Sequence, residues 1–409
     1  MQPPQGDHAM KNIFCHRAST ARRAPLSHRP VVALALLAAL GLSACGGGGG
    51  SGGTSTQTNA DLVAPPLPTA PAPATMPPPS PPAAPDTGNT GPSAPPRSVA
   101  LGEVWQETGP VAAWWTAAAS GDGSVLAVAV NPGSLYLSRD AGASWQPVAA
   151  AGQGNWSSID MDLTGTHIAT TRFGGLVSIS HDGGVTWEGF FHNCNWLGVT
   201  ISNDGQHLAA VAKYGPLFTS DDAGATWQAR LPNDNWQAIA GSEDGRVLLT
   251  AAHDGQIQVS TDHGITWTAH ETPQGWYRLA ISANGQHMAV ADNGGQIYLS
   301  TDFGQTWATS FHAGPVTSLS MSRDGQQLVV AVPEVNGDTT QSGVFHSADF
   351  GQTWQSLATP RAWRAVALAG DGRTLLAAAR GEGTDPMLID PAVPGGHIYV
   401  THAGTSPAP

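Results

Sequence analysis

Cleaving a glycosidic bond takes two carboxylates facing each other across a cleft. Acids that fall outside the regular spacing include Glu334, Asp338, Glu382, Asp385 and Asp390. They leave room for such a pair, and so for a carbohydrate-active hydrolase. The ten arginines between Arg139 and Arg380 are spread along the chain, mostly at turn positions, and do not form an evident carboxylate clamp. The 15 His stand singly, without metal-ligand spacing, so neither a metal nor a cofactor is expected. Six further acids, Asp140, Asp182, Asp222, Asp262, Asp302 and Asp349, recur regularly. Regular recurrence points to architecture.

Each of these Asp sits in Ser-x-Asp-x-Gly-x-Ser/Thr-Trp. The copies start at Ser138, Ser180, Ser220, Ser260, Ser300 and Ser347, spaced by 42, 40, 40, 40 and 47 residues. A period of this length is one supersecondary unit per repeat. The Asp accepts backbone N–H bonds and the Gly supplies a positive φ, so the motif is a tight turn. A second pattern lies between the turns: Trp, alternating apolar residues, then Asp/Asn-Gly. It starts at Trp114, Trp156, Trp196, Trp236, Trp276, Val316 and Trp363. Each unit therefore reads as four antiparallel strands. The expected fold is all-β: a single seven-bladed β-propeller spanning 101–404, with a short tail at 405–409. The last unit lacks a fourth strand. Trp105 precedes Trp114 by nine residues, the same interval as Trp187 to Trp196 and Trp227 to Trp236. Residues 103–107 are thus predicted to complete the last blade and close the ring.

The six boxes resemble the Asp-box, or BNR, repeat. That repeat occurs in sialidases, xyloglucan-type glycosidases, sortilin-like receptors and the photosystem II assembly factor family. The chain is similar in design to the last of these, a seven-bladed, non-enzymatic assembly protein. The resemblance implies that the Asp boxes are structural and lie away from the ligand face. It also implies that sialidase chemistry would need an Arg cluster and a Tyr with a Glu partner. The Arg-Ile-Pro motif of sialidases is absent from the chain.

The 409 residues carry a net charge of −13 and only 11% charged residues, against roughly 25% in an ordinary domain. Such acidity argues against nucleic-acid partners. Residues 1–45 run opposite to this, with five basic residues before the apolar run Val31–Leu42. They read as an export signal. Leu42-Ser43-Ala44-Cys45 resembles the bacterial lipobox, which makes Cys45 the lipidated residue, and Gly46 then implies sorting to the outer membrane. Residues 46–100 are Gly/Ser-rich and then Pro/Ala-rich, a linker expected to be disordered and extended. With Cys45 lipidated and Cys15 removed, Cys194 is expected to stand alone, without a disulfide.

In a propeller, the turns between second and third strands share a face with the entry into each first strand. The six first-strand Trp either wedge between blades or form an aromatic platform. Candidates for a binding face are the residues that vary between repeats at that end: Trp115, Tyr277 and Arg364 after the first-strand positions, and Arg172, Phe173, Lys213, Tyr214, His253, Asp292 and Arg380 at the turns. Glu334 and Glu382 belong to two enlarged turns, 334–342 and 381–396. The expected function is an exported, lipid-anchored, non-catalytic and monomeric scaffold for a protein or glycan at the bacterial cell envelope. The alternative is a hydrolase acting at the channel mouth.

Overall fold

The computed structural model describes residues 97–312, 314–333, 342–358, 361–380 and 395–406. The expected signal peptide with Cys45, most of the linker, and Glu334 and Glu382 lie outside the described residues. The fold is a β-propeller. Its described residues hold antiparallel strands, one short 3-10 turn at Ala149–Ala151 and no α-helix.

The first sheet pairs Trp114–Ala119 with Leu126–Val130, then Gly133–Ser138, then Gln146–Pro147. Among the described residues, seven such antiparallel sheets follow one another along the chain. Some neighbouring sheets share one continuous strand. The first half of Glu188–Ile201 pairs with Ile168–Ser180, and its second half pairs with Leu208–Ser220.

Apolar residues on both faces of each sheet meet those of the next, so the core is divided among the seams. One cluster sets Trp114, Leu126 and Val128 of the first sheet against Leu376, Ile398 and Val400 of the last. At the far end of the first strands, main-chain bonds link one sheet to the next. Gly121 N donates to Leu163 O (2.8 Å), Asn203 N to Glu243 O (2.8 Å), Glu243 N to Ala283 O (2.9 Å), Ala283 N to Arg323 O (2.9 Å) and Arg323 N to Gly370 O (2.8 Å). Asp371 N returns to Gly121 O (2.8 Å). Leu163 N is satisfied by the Asn203 side chain at 3.1 Å. The belt runs the full circuit.

The last sheet is completed by the N-terminal segment. Gln106–Ala112 pairs with Gly396–His402, in the register Gln106 to Val400 and Thr108 to Ile398. The strand starts after Trp105 rather than at Glu103, because Glu103 N bonds back to Ala100 O in a turn. The other outer strands behave alike: Gln228 and Thr268 open theirs just after Trp227 and Trp267. Arg97–Val99 also pairs with Gly404–Ser406, so strand pairing runs past both 101 and 404.

Cys194 is buried and disulfide-bonded, which corrects the expectation that it stands alone. That expectation rested on elimination, with both other sulfurs consumed before folding. The partner cysteine lies outside the described residues.

Candidate functional site at the channel mouth

The seven first strands enclose a channel of about 350 Å³, within the range of ligand pockets. The second strands return to the Trp end of the first strands: Trp156 faces Arg172, Trp196 faces Ala212 and Trp363 faces Ala379. Arg172, Lys213, His253 and Arg380 therefore share the end where the first strands begin. Pro333 and Ser342, and Arg380 and Gly395, flank the two enlarged turns there.

The first-strand Trp are not a platform. Trp114, Trp156, Trp196 and Trp276 are fully buried or nearly so, and Trp236 and Trp363 are 3% and 2% exposed. They wedge into the seams, and Val316 takes the same place in the sixth unit. The residue after each Trp has a different fate. Pairing slips by one between Trp114 and Thr116, Trp156 and Ser158, Trp196 and Gly198, Trp236 and Ala238, Trp276 and Arg278, and Trp363 and Ala365. Each slip is a β-bulge, which re-aims a side chain without changing the faces of the strand beyond it. Trp115, Ser157, Leu197, Gln237 and Arg364 consequently line the channel. In the fifth sheet Arg278 lines it, beside Tyr277.

Four of these side chains meet. The Arg364 guanidinium lies 3.6 Å from the Trp115 ring, and that of Arg278 lies 3.9 Å from the Tyr277 ring. Arg278 Nε donates to Thr317 O at 2.6 Å. Both guanidiniums lie close enough to the Tyr277 phenol to favour its ionised form. Arg278 holds the Tyr277 phenol below its ordinary pKa; burial opposes this, and Arg364 adds to it. Burial pushes Arg364 down to about 10, with the charges of Arg278 and Arg380 acting in the same direction and Tyr277 opposing. Arg364 is 3% exposed, and its Nε and Nη1 have no hydrogen-bond partner among the described residues. A buried guanidinium in this state is costly, and a carboxylate or phosphate would relieve it.

Of the other candidates, Arg380 acts on Arg364 through its charge, and the remaining described ones make contacts of their own. Arg172 stacks 4.5 Å over Trp156 and donates to Ala151 O at 2.5 Å. Burial lowers its pKa. Phe173 and Tyr214 are exposed, and Lys213 lies 5.4 Å from the Tyr214 ring. His253 pairs with Asp254 at 2.8 Å. Asp292 is a turn residue, accepting from Gln296 N at 2.9 Å.

The described carboxylates in the channel wall are all engaged. Asp160, on a first strand, accepts from Thr200 Oγ1 and Ile201 N, both at 2.9 Å, and from Met161 N at 3.0 Å. Burial still raises its pKa. Sequence reasoning passed over Asp160, although it is the one acid inside a first-strand pattern. Asp162 closes a hairpin with Thr166 N at 2.8 Å, and Glu243 pairs with Arg323 at 2.7 Å.

The Asp boxes lie at the opposite end of the blades and are turns. In one copy Asp222 accepts from Ser220 Oγ (2.8 Å), Thr226 N (2.8 Å) and Thr226 Oγ1 (2.5 Å), and Trp227 Nε1 donates to Gly224 O (2.9 Å). The carboxylate bonds recur around Asp140, Asp182, Asp262, Asp302 and Asp349, and the indole bond recurs at Trp187, Trp267, Trp307 and Trp354, while Trp145 Nε1 has no partner among the described residues. Donation by the following Ser or Thr hydroxyl, then by its main-chain N–H, lowers Asp140, Asp182, Asp302 and Asp349 to about 2. The residue before the box Gly is also left-handed, with Ala223 at φ 57° and Phe303 at φ 61°.

The BNR/Asp-box repeat model matches residues 258–269. No curated protein matches the chain in sequence. Among solved structures, YCF48 from Cyanidioschyzon merolae aligns with a TM-score of 0.53 and 13% identity, covering 73% of this chain and 98% of that one. YCF48 bound to D1 peptide aligns with a TM-score of 0.53 and 14% identity, over 73% and 97%. The GH74 xyloglucanase from Xanthomonas campestris aligns with a TM-score of 0.53 and 14% identity, over 67% and 52%. At these identities the likeness establishes the fold alone.

Proposed function

We propose that the chain is an exported, lipid-anchored, seven-bladed propeller that binds an anionic group of a protein partner at its channel mouth and does no chemistry. Seven is supported by the seven first strands and by the hydrogen-bonded belt that returns to Gly121. Lipid anchoring at the outer membrane rests on the lipobox-like Leu42–Cys45 and on Gly46; such processing removes Cys15 and commits Cys45 to lipid, so in this reading the disulfide of Cys194 belongs to the unprocessed chain alone.

The observation that carries the binding reading is Arg364. It is buried, its Nε and Nη1 have no hydrogen-bond partner among the described residues, and its neighbours are Arg278 and the Tyr277 phenol. A buried guanidinium whose N–H groups lack an acceptor is costly, and in this reading the ligand supplies the acceptor. A peptide suits the mouth because it brings carboxylates together with apolar side chains for Trp115. A structural relative, YCF48, has been solved bound to D1 peptide. The tied carboxylates of the channel wall favour binding over hydrolysis.

The test uses a library of short peptides with free C-terminal carboxylates and its amidated counterpart. The expected result is carboxylate-dependent, salt-sensitive binding. Arg364→Met should weaken it at least tenfold, since charge-assisted bonds are worth about 1.5–3 kcal/mol each. The variant should melt no lower than the parent, because a buried unpaired charge is gone. Equal binding by parent and variant, or a large loss of stability in the variant, would refute the assignment. Release of sugar from a xyloglucan or sialoside panel would install the hydrolase reading instead.

A further inference from the structure

A different cluster lies at the rim, between the third and fourth sheets. His207 Nδ1 is 2.9 Å from Asp221 Oδ1. The His207 and His263 rings face each other with centroids 4.1 Å apart and planes 32° apart. One ligand atom from each of the three residues lies within 4.8 Å of the others. His263 Nδ1 is buried and has no hydrogen-bond partner among the described residues. The cluster borders a cavity of about 10 Å³, which hydroxyl residues also line. That is room for one water or one ion.

The repeat shows that this grouping is not a by-product of the fold. The position of Asp221 is Arg139, His181, Thr261, Thr301 or Ala348 in the other boxes. The position of His263 is Ala141, Gly183, Ala223, Phe303 or Phe350. It is a left-handed site, and His263 occupies it at φ 60°. Only at this seam do two imidazoles and a carboxylate coincide among the described residues. Asp204 and Asp244 couple electrostatically to His207 and His263 and add negative charge nearby. Arg230 Nη2, 3.7 Å from Asp221 Oδ2, opposes them and leaves Oδ1 turned to the histidines.

We infer that His207, Asp221 and His263 form a binding site for a zinc-class divalent transition-metal ion that clamps two neighbouring blades. Two imidazoles and a carboxylate suit such an ion. A tetrahedral zinc with bonds of about 2.0–2.1 Å sets its ligand atoms roughly 3.3 Å apart, so closure needs only a small ring movement. His207 opens the second strand of one blade and Asp221 sits in that blade's box, while His263 belongs to the next blade's box. The ion therefore adds a cross-link at the rim of a seam already held by apolar packing, by the shared strand Gln228–Gly241 and by the Asn203 N to Glu243 O bond. No metal spacing was legible in the sequence because the ligands lie 14 and 42 residues apart, at intervals set by the propeller and not by a local motif.

The experiment is equilibrium dialysis of the untagged full chain against Zn²⁺, with Co²⁺ absorption to report coordination. One equivalent of Zn²⁺ is expected, with a rise in melting temperature and intense visible bands for Co²⁺. His263→Phe should abolish all three and still fold, because Phe303 and Phe350 hold the same turn at φ 61° and 51°. Phe350 also packs edge-on against His287 with centroids 4.8 Å apart, and the variant ring has the equivalent neighbour in His207. Asp221→Asn should weaken binding at least tenfold. His181→Thr, which breaks the neighbouring His167–His181 pair, should leave binding unchanged. Absence of saturable binding by the parent overturns the proposal. So does a site lost in His181→Thr but kept in His263→Phe.

Discussion

Trp105 tests how the ring is closed. Its indole packs on Trp363 with centroids 6.3 Å apart, and its Nε1 donates to Leu357 O at 3.0 Å. It is half-buried, as are Trp227 and Trp267, which occupy the same place inside the repeat. Replacing a fully buried Trp by Ala costs about 3–5 kcal/mol, so a half-buried ring with one hydrogen bond corresponds to about 2–3 kcal/mol. With unfolding entropy near 2.1 cal/mol/K per residue, a domain of about 300 residues loses roughly 1.6 °C per kcal/mol. Trp105→Ala should then melt about 3–5 °C below the parent. The essential comparison is Trp227→Ala, measured alongside by near-ultraviolet circular dichroism. If Gln106–Ala112 completes the last sheet, the two variants lose similar amounts. If the segment is only a tail, Trp105→Ala costs nothing while Trp227→Ala still costs its full share, and the closure is refuted. Deleting residues 101–108 is a second arm. The conformational entropy of eight residues offsets part of the lost contacts, so its melting shift is less easily assigned. It uncovers the edge of Gly396–His402, and aggregation on heating is its expected sign.

Two further outcomes follow from the turns and the leader. Asp140, Asp182, Asp302 and Asp349 have folded pKa values near 2, below the ordinary 3.8. A depressed carboxylate contributes stability that is complete above the unfolded value and is lost as pH falls through the folded one. Melting temperature should therefore drop steeply between pH 4 and pH 2, and Asp182→Asn should flatten that drop; parallel curves for parent and variant would show that the boxes do not carry it. For the anchor, Cys45→Ser should move the protein from the membrane fraction to the soluble fraction, and retention in the membrane would exclude lipid as the attachment.

The fold was legible because its signals are periodic. Box turns every 40-odd residues and Trp at nine-residue intervals fix the strands and, through Trp105, the closing segment. Burial of the first-strand Trp was legible too, as one of two readings of six matched positions. The meeting of Tyr277, Arg278 and Arg364 was not. It depends on a bulge after each Trp, and no residue type announces that bulge. The bulge exposes a different side chain in every blade, so those side chains carry no repeating pattern. Arg278 stood in the sequence as an ordinary alternating residue, yet the one-residue slip at Trp276 places it in the channel wall with Arg364, 86 positions later. The same holds at the rim, where His207 and His263 become neighbours only because a box residue of one blade packs on a hairpin residue of the blade before. Repetition makes the scaffold readable. Departures from it, brought together by the ring, carry whatever is particular to this protein.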